Sequence, residues 1–284
     1  MLSRIVLLCG GIALATAACG GDTSGERRVL GALYPLAFAA EQVAPADVEV
    51  ASLTPPGAEP HDLELAARDV GRVRDATLVV YVGRGFQPAL EQALDDRDGP
   101  SLDVLEQVEL LEGPGEAATV DPHVWLDPLR FQAIARAIAE ALGRPSAADA
   151  LVTRLQELDG EYRRGLARCE RREFVTSHAA FGYLARRYGL EQVPLLGLSP
   201  DAEPAPQRVE RLVRDVRRTG ATTVFSEKLL SPRLAETIAR EAGVTTAVLD
   251  PLEGLPSGEL EAGDDYFTVM RENLAALREA LACT

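Results

Sequence analysis

From residue 29 onward, short apolar runs rich in β-branched residues alternate with stretches whose apolar positions recur every three or four residues. The first pattern predicts strands and the second amphipathic helices. In the first half, strands are predicted at residues 29–33, 48–53 and 77–82, with a weak one at 102–105. The almost wholly apolar run 77–82 suits a parallel strand covered on both faces. Helices are predicted between these strands at 36–43, 65–74 and 88–94. A longer helix over 126–142 opens at Asp127-Pro128, with the Asp as cap and the Pro in the first turn. Residues 146–169 keep apolar spacing through Leu151, Leu155, Leu158, Tyr162 and Leu166, and predict one long helix. The alternation then resumes. Strands are expected at 173–176, 193–198, 223–227 and 244–249, and helices at 179–188, 207–218, 232–242 (capped by Ser231) and 264–282.

Repeated β–α alternation on both sides of a long helix predicts an α/β protein of two lobes with parallel sheets. The expected division is an N-terminal lobe at 28–144, a linking spine helix at 145–170 and a C-terminal lobe at 171–284. No internal sequence repeat relates the halves.

The first residues follow a different logic. Arg4 gives a basic start, residues 5–14 are apolar, and Ala15-Thr16-Ala17-Ala18 leads to Cys19. Such a run is too short to span a bilayer and reads as a targeting segment over residues 1–18. It resembles the bacterial lipoprotein signal, in which the Cys becomes the lipidated first residue, although Thr16 replaces the usual Leu. Ordinary secretion is the alternative. Residues 19–27 then read as a lipidated, flexible tether. Export licenses disulfides. With Cys9 in the signal and Cys19 carrying lipid, Cys169 and Cys283 remain, either bridged or as two buried thiols.

The formal charge of −15 argues against a nucleic-acid partner, whose phosphates would be repelled. It permits a cation at a cleft without requiring one.

Chemistry concentrates in the histidines, of which there are three: His61, His123 and His178. His178 follows a predicted strand directly, as do Glu227 and Asp250, and His61 lies in the loop after another. In open α/β sheets ligands bind beyond the carboxyl ends of strands. Three imidazoles and one carboxylate would suit a tetrahedral divalent site of the zinc type. Taken singly, each residue has a plainer reading. Asp250-Pro251 is a common turn opener, and Glu227 fits an ion pair with Lys228 or a support for a ligand imidazole. Glu59 fits a solvated loop charge or an alternative ligand.

The combination resembles the zinc- and manganese-type solute-binding proteins of ABC importers. The resemblance is carried by Pro60-His61-Asp62-Leu63-Glu64, Asp121-Pro122-His123-Val124-Trp125-Leu126-Asp127-Pro128 and Thr176-Ser177-His178-Ala179-Ala180-Phe181-Gly182-Tyr183. It continues through Ser199-Pro200-Asp201-Ala202-Glu203-Pro204, Glu227 and Leu249-Asp250-Pro251-Leu252. It implies a metal held between two lobes by His61, His123, His178 and Asp250. It also implies delivery of that metal, as a monomer on the extracytoplasmic face, to a membrane permease and its ATPase. His178, where manganese carriers tend to have Glu, favours Zn2+ as the transported ligand, with Mn2+ the alternative. The loop at 112–120 contains no histidine, unlike the His-rich loop of many zinc importers, so a broader divalent-metal carrier stays open.

A filled four-ligand shell favours a carrier over an enzyme, because a catalytic zinc keeps one position for water. No His-Glu-x-x-His, Gly-x-Ser-x-Gly or Walker sequence is present. The competing readings are a secreted zinc hydrolase, with Glu227 or Glu59 as general base, and an adhesin with a structural metal.

Overall fold

The computed structural model describes residues 27–113, 120–200 and 205–284. The expected signal, Cys19, most of the tether, most of the acidic loop and residues 201–204 lie outside the described residues.

The first half contains β1 (Arg28–Gly31), α1 (Tyr34–Val43), β2 (Glu49–Ser52), α2 (Ala67–Asp75), β3 (Leu78–Tyr81), α3 (Pro88–Asp95) and β4 (Ser101–Asp103). Its strands form a parallel sheet in the order β2-β1-β3-β4. α4 (Pro128–Ala141) and α5 (Asp149–Gly165) follow, separated by a 3-10 turn at Pro145–Ala148. The second half contains β5 (Glu173–Thr176), α6 (Gly182–Tyr188), β6 (Glu191–Pro194), α7 (Pro206–Thr219), β7 (Thr223–Ser226), α8 (Arg233–Ala242), β8 (Thr245–Val248), α9 (Ser257–Ala262) and α10 (Tyr266–Ala280). Its sheet is again parallel, in the order β6-β5-β7-β8. The two sheets therefore share one topology, which the sequence does not betray as a repeat.

Local chemistry explains most of these boundaries. The turn from β1 into α1 demands Gly31, because a Cβ there would lie 2.4 Å from the Ala37 backbone nitrogen. Asp127 caps α4 as expected, its carboxylate accepting from Leu129 N at 3.0 Å. Asp103 ends β4 early by capping a 3-10 turn at Val104–Gln107. The strand expected at 193–198 pairs as β6 over Glu191–Pro194 instead. Pro194 has no N–H to give the ladder, and Leu195 N and Leu196 N donate to Thr176 O at the end of β5 and to Ser177 O just beyond it. α6 starts at Gly182 rather than 179, which leaves residues 177–181 as the loop that carries His178. α8 starts at Arg233, and Ser231 makes no cap.

Alternation along the central strands of the second sheet divides its two faces. Phe174 and Phe225 enter the main core, whereas Val175 and Val224 face a smaller core under α7 and α8. The main core is continuous from the first sheet through α4, α5 and α10 to the inner face of the second sheet. The helix expected as a linking spine, α5, lies against α4, with α1 and α10 beside it. α10 reaches back to the first half, where the Tyr266 ring packs 4.6 Å from Phe131 and 5.8 Å from Phe38.

A disulfide joins Cys169 to Cys283, 114 positions apart in sequence. It pins the segment after α5 to the end of α10, where Arg171 N donates to Leu281 O and Thr284 N to Arg168 O. Closing so long a loop removes much denatured-state entropy. Replacing both cysteines by serine should cost about 2–4 kcal/mol of unfolding free energy. Equilibrium denaturation that shows no loss would mean the bridge contributes nothing to stability.

Candidate metal centre

The cleft between the sheets gathers four side chains from four loops. His61 follows β2, His123 precedes a 3-10 turn at Val124–Leu126, His178 follows β5, and Glu253 follows β8. One potential ligand atom from each lies within 4.8 Å of all the others. Glu253 Oε1 is the hub: it stands 3.2 Å from His61 Nε2, 3.0 Å from His123 Nε2 and 3.4 Å from His178 Nε2. The two imidazoles from opposite halves, His123 and His178, approach to 3.4 Å between their Nε2 atoms.

The remaining ring nitrogens are oriented by carboxylates. His123 Nδ1 lies 2.8 Å from Asp121 Oδ1, which also accepts from His123 N at 2.9 Å. His178 Nδ1 lies 2.7 Å from Glu227 Oε1, which Ser177 Oγ also reaches. Carboxylate behind imidazole is the support that ligating histidines ordinarily have, because it fixes ring orientation and raises basicity. His61 depends on packing instead, its ring 4.5 Å from Phe86. Gln87 holds the loop before it by donating to Pro60 O at 3.0 Å.

Electrostatics follow from burial. Glu253 is 1% exposed, and desolvation alone would raise its pKa. The imidazoles of His178, His123 and His61 outweigh that penalty and hold the carboxyl well below its ordinary range. Burial likewise opposes protonation of His123 and His178. Asp121 and Glu253 nonetheless hold His123 above the usual imidazole value, and Glu227 and Glu253 hold His178 well above it. Glu59 is pushed up to about 8, first by burial and then by the charge of Glu253. Its Oε1 accepts from His61 N at 3.1 Å, and its Oε2 is buried without a partner among the described residues.

Such a set is chemically incomplete. Among the described residues the second oxygen of Glu253 is buried with no hydrogen-bond partner, and three imidazole nitrogens crowd one carboxylate oxygen. A divalent cation of the zinc class satisfies three neutral nitrogens and one carboxylate in a tetrahedral arrangement. A cavity of about 440 Å³, lined by His61, Arg84, Phe86, Val120, Leu198 and Ser199, opens beside the cluster and meets it at His61.

Asp250, expected as the carboxylate ligand, stands outside the cluster. Its Oδ1 accepts from Leu252 N at 2.7 Å, its Oδ2 lies 3.5 Å from Lys228 Nζ, and burial pushes its pKa up to about 6. It closes the turn that follows β8. Leu252 adopts a left-handed backbone (φ 57°) in that turn, and Glu253 is thereby brought into the cleft. Trp125 Nε1 donates to Pro251 O at 2.8 Å, and Asn273 bonds both backbone groups of Asp250. The sequence does contain a signal, a second carboxylate three residues after Asp250, but it lies beyond the strand end on which the expectation rested.

Residues 29–280 match the ZnuA family profile, described as zinc-uptake complex component A, periplasmic. The zinc-binding protein AdcA of Streptococcus pyogenes is 34% identical over 287 residues, covering 89% of this chain but 56% of that protein. The chain thus spans little more than half the length of the AdcA proteins it matches. The high-affinity zinc uptake system protein ZnuA of Bacillus subtilis is 31% identical over 300 residues, 94% of each chain. Among solved structures, the Zn(II)-bound ZnuA-like domain of Streptococcus pneumoniae AdcA superposes with a TM-score of 0.77 at 35% identity, covering 90% of this chain and 99% of that one. The laminin-binding protein Lmb of Streptococcus agalactiae, described as having adhesin and metal-transporting activity, gives 0.81 at 28% identity, with coverages of 90% and 99%. With nearly the whole chain matched, the protein belongs to the ZnuA family of periplasmic zinc-uptake components.

Proposed function

We propose that the protein captures Zn2+ between its two lobes through His61, His123, His178 and Glu253, and delivers it to a membrane permease driven by a cytoplasmic ATPase. The observation that carries this reading is the convergence of three Nε2 atoms on the buried Glu253 oxygen. Four protein ligands complete a tetrahedral shell, so no position is kept for the water a hydrolase would activate. Nitrogen-dominated ligation favours Zn2+ over Mn2+, by ligand type and by the general order of divalent affinities. The likeness to relatives that are named for zinc binding and zinc uptake supports the same cargo. A Streptococcus pneumoniae relative named a zinc-binding lipoprotein, 34% identical over 98% of this chain, supports export and anchoring through Cys19.

Competitive titration of metal-stripped protein with Zn2+ and Mn2+ tests the reading directly. One tight zinc equivalent with far weaker manganese is expected, and no tight binding of either would overturn it. Glu253→Gln or His123→Ala should weaken zinc by about 100-fold or more, the upper end of what even outer-shell changes cost. Asp250→Asn should leave the affinity essentially unchanged, because an amide oxygen still accepts from Leu252 N. The reverse ranking would return the ligand role to Asp250.

Zinc must also displace protons from the imidazoles. Because His123 and His178 are held above the ordinary imidazole value, proton competition begins at a higher pH than for free histidine. Zinc affinity should therefore fall progressively as pH drops from 8 to 5, with proton uptake on metal release visible in calorimetry across buffers. An affinity flat across that window would contradict histidine ligation.

A further inference from the structure

Helix α6 belongs to the second sheet's half, yet most of its polar contacts are made with the segment that carries His123. Arg187 forks onto Asp127: Nε lies 2.9 and 3.0 Å from the two carboxylate oxygens, and Nη2 lies 2.7 Å from Oδ2. Asp127 is fully buried and caps α4 directly after the turn that His123 opens. One turn earlier on α6, the Tyr183 hydroxyl donates to Asp121 O at 2.9 Å and accepts from Leu111 N at 2.9 Å. The Arg130 guanidinium covers the Tyr183 ring at 4.8 Å. At the helix start, Gly182 comes so close that a Cβ would lie 2.6 Å from Asp121 Oδ2, and Asp121 is the carboxylate that orients His123. On its other side, α6 is tied to the His178 loop. Gln192 accepts from Phe181 N at 3.1 Å and donates to His178 O at 2.8 Å.

We propose that α6 is a strut that fixes the spacing between His123 and His178, with Gly182, Tyr183 and Arg187 as positioning residues that enforce metal selectivity. This inference rests on the zinc reading above. Zn2+ is content with four ligands, whereas Mn2+ favours six positions filled mainly by oxygen. A cage that cannot widen denies Mn2+ its further ligands. A cage that can widen could recruit the buried, unpartnered Oε2 of Glu59, two residues before His61. Rigidity across the cleft would then discriminate where ligand identity does so only partly. Burial of the Asp127 carboxylate by itself calls for a countercharge, which Arg187 shares with Arg130; packing alone would not call for a Cβ-free contact against the carboxylate behind a ligand.

The test compares Arg187→Gln, Gly182→Ala and Tyr183→Phe with Arg271→Gln. The last removes an exposed ion pair between Arg271 and Glu161 that does not touch α6. Each protein is titrated with Zn2+ and with Mn2+ alone, alongside a thermal melt. The manganese-to-zinc ratio of dissociation constants should fall at least about tenfold in Arg187→Gln and Gly182→Ala, within the range reported for outer-shell changes. Zinc should dissociate faster from both, Arg187→Lys should recover part of the ratio, and Arg271→Gln should match the parent. A purely structural role would lower the melting temperature and leave the ratio where it was, which would overturn the proposal. If Arg187→Gln or Gly182→Ala does not fold, Tyr183→Phe decides, since it removes one hydroxyl only. An unsubstituted protein with no tight zinc site would instead defeat the zinc reading, and this inference with it.

Discussion

A fully buried carboxylate surrounded by three imidazoles is the constraint on which the rest of this structure depends. Glu253 could not remain ionised at 1% exposure without them. The imidazoles in turn owe their orientation to carboxylates behind them, Asp121 for His123 and Glu227 for His178. The site is thus an alternating shell of acid, base and acid whose members come from both halves of the chain. A shell of that kind has to be assembled by the fold, since no single segment contributes more than one inner member.

The architecture meets that requirement by letting its halves share a core. Helices α4, α5 and α10 are buried between the two sheets in one continuous apolar cluster, and α10 carries Tyr266 into the first half. The same helices fasten the site. The Tyr266 hydroxyl donates to Trp125 O at 2.7 Å, the Trp125 indole donates to Pro251 O, and Asn273 on α10 holds Asp250. This chain of contacts links the segments that carry His123 and Glu253, beside the direct contact between the two side chains. His61 sits at the edge of the arrangement, with 10% of its side chain exposed and the neighbouring cavity beside it.

Periodicity placed all eight strands seen among the described residues to within a few positions: the central strands β1, β3, β5 and β7 are buried apolar runs, whereas the partly exposed edge strands, such as β4 and β6, were marked less sharply. It missed α9, whose Ser-Gly-Glu-Leu-Glu-Ala has no buried residue and hence no periodic stripe. It also extended α6 backward over residues 179–181, because Ala-Ala-Phe suits a helix locally while the neighbouring sheet bonds that stretch as a loop. The three histidines were legible from rarity, His61 and His178 also from position after strands, and His123 from the Asp121–Pro128 stretch that carries it.

The sequence by itself determined the α/β class, the cap at Asp127 and the three imidazoles, because each follows from local pattern or from a residue type with few other uses. Only the tertiary structure decided which carboxylate meets the three imidazoles. Asp250 and Glu253 are both acidic, both buried and three residues apart. What separates them is a left-handed Leu252 and the clamp of Trp125 and Asn273 on the turn between them. Direction of a side chain at the end of a strand depends on that turn, and the turn depends on contacts with Asn273, 23 positions away, and with Trp125, 126 positions away.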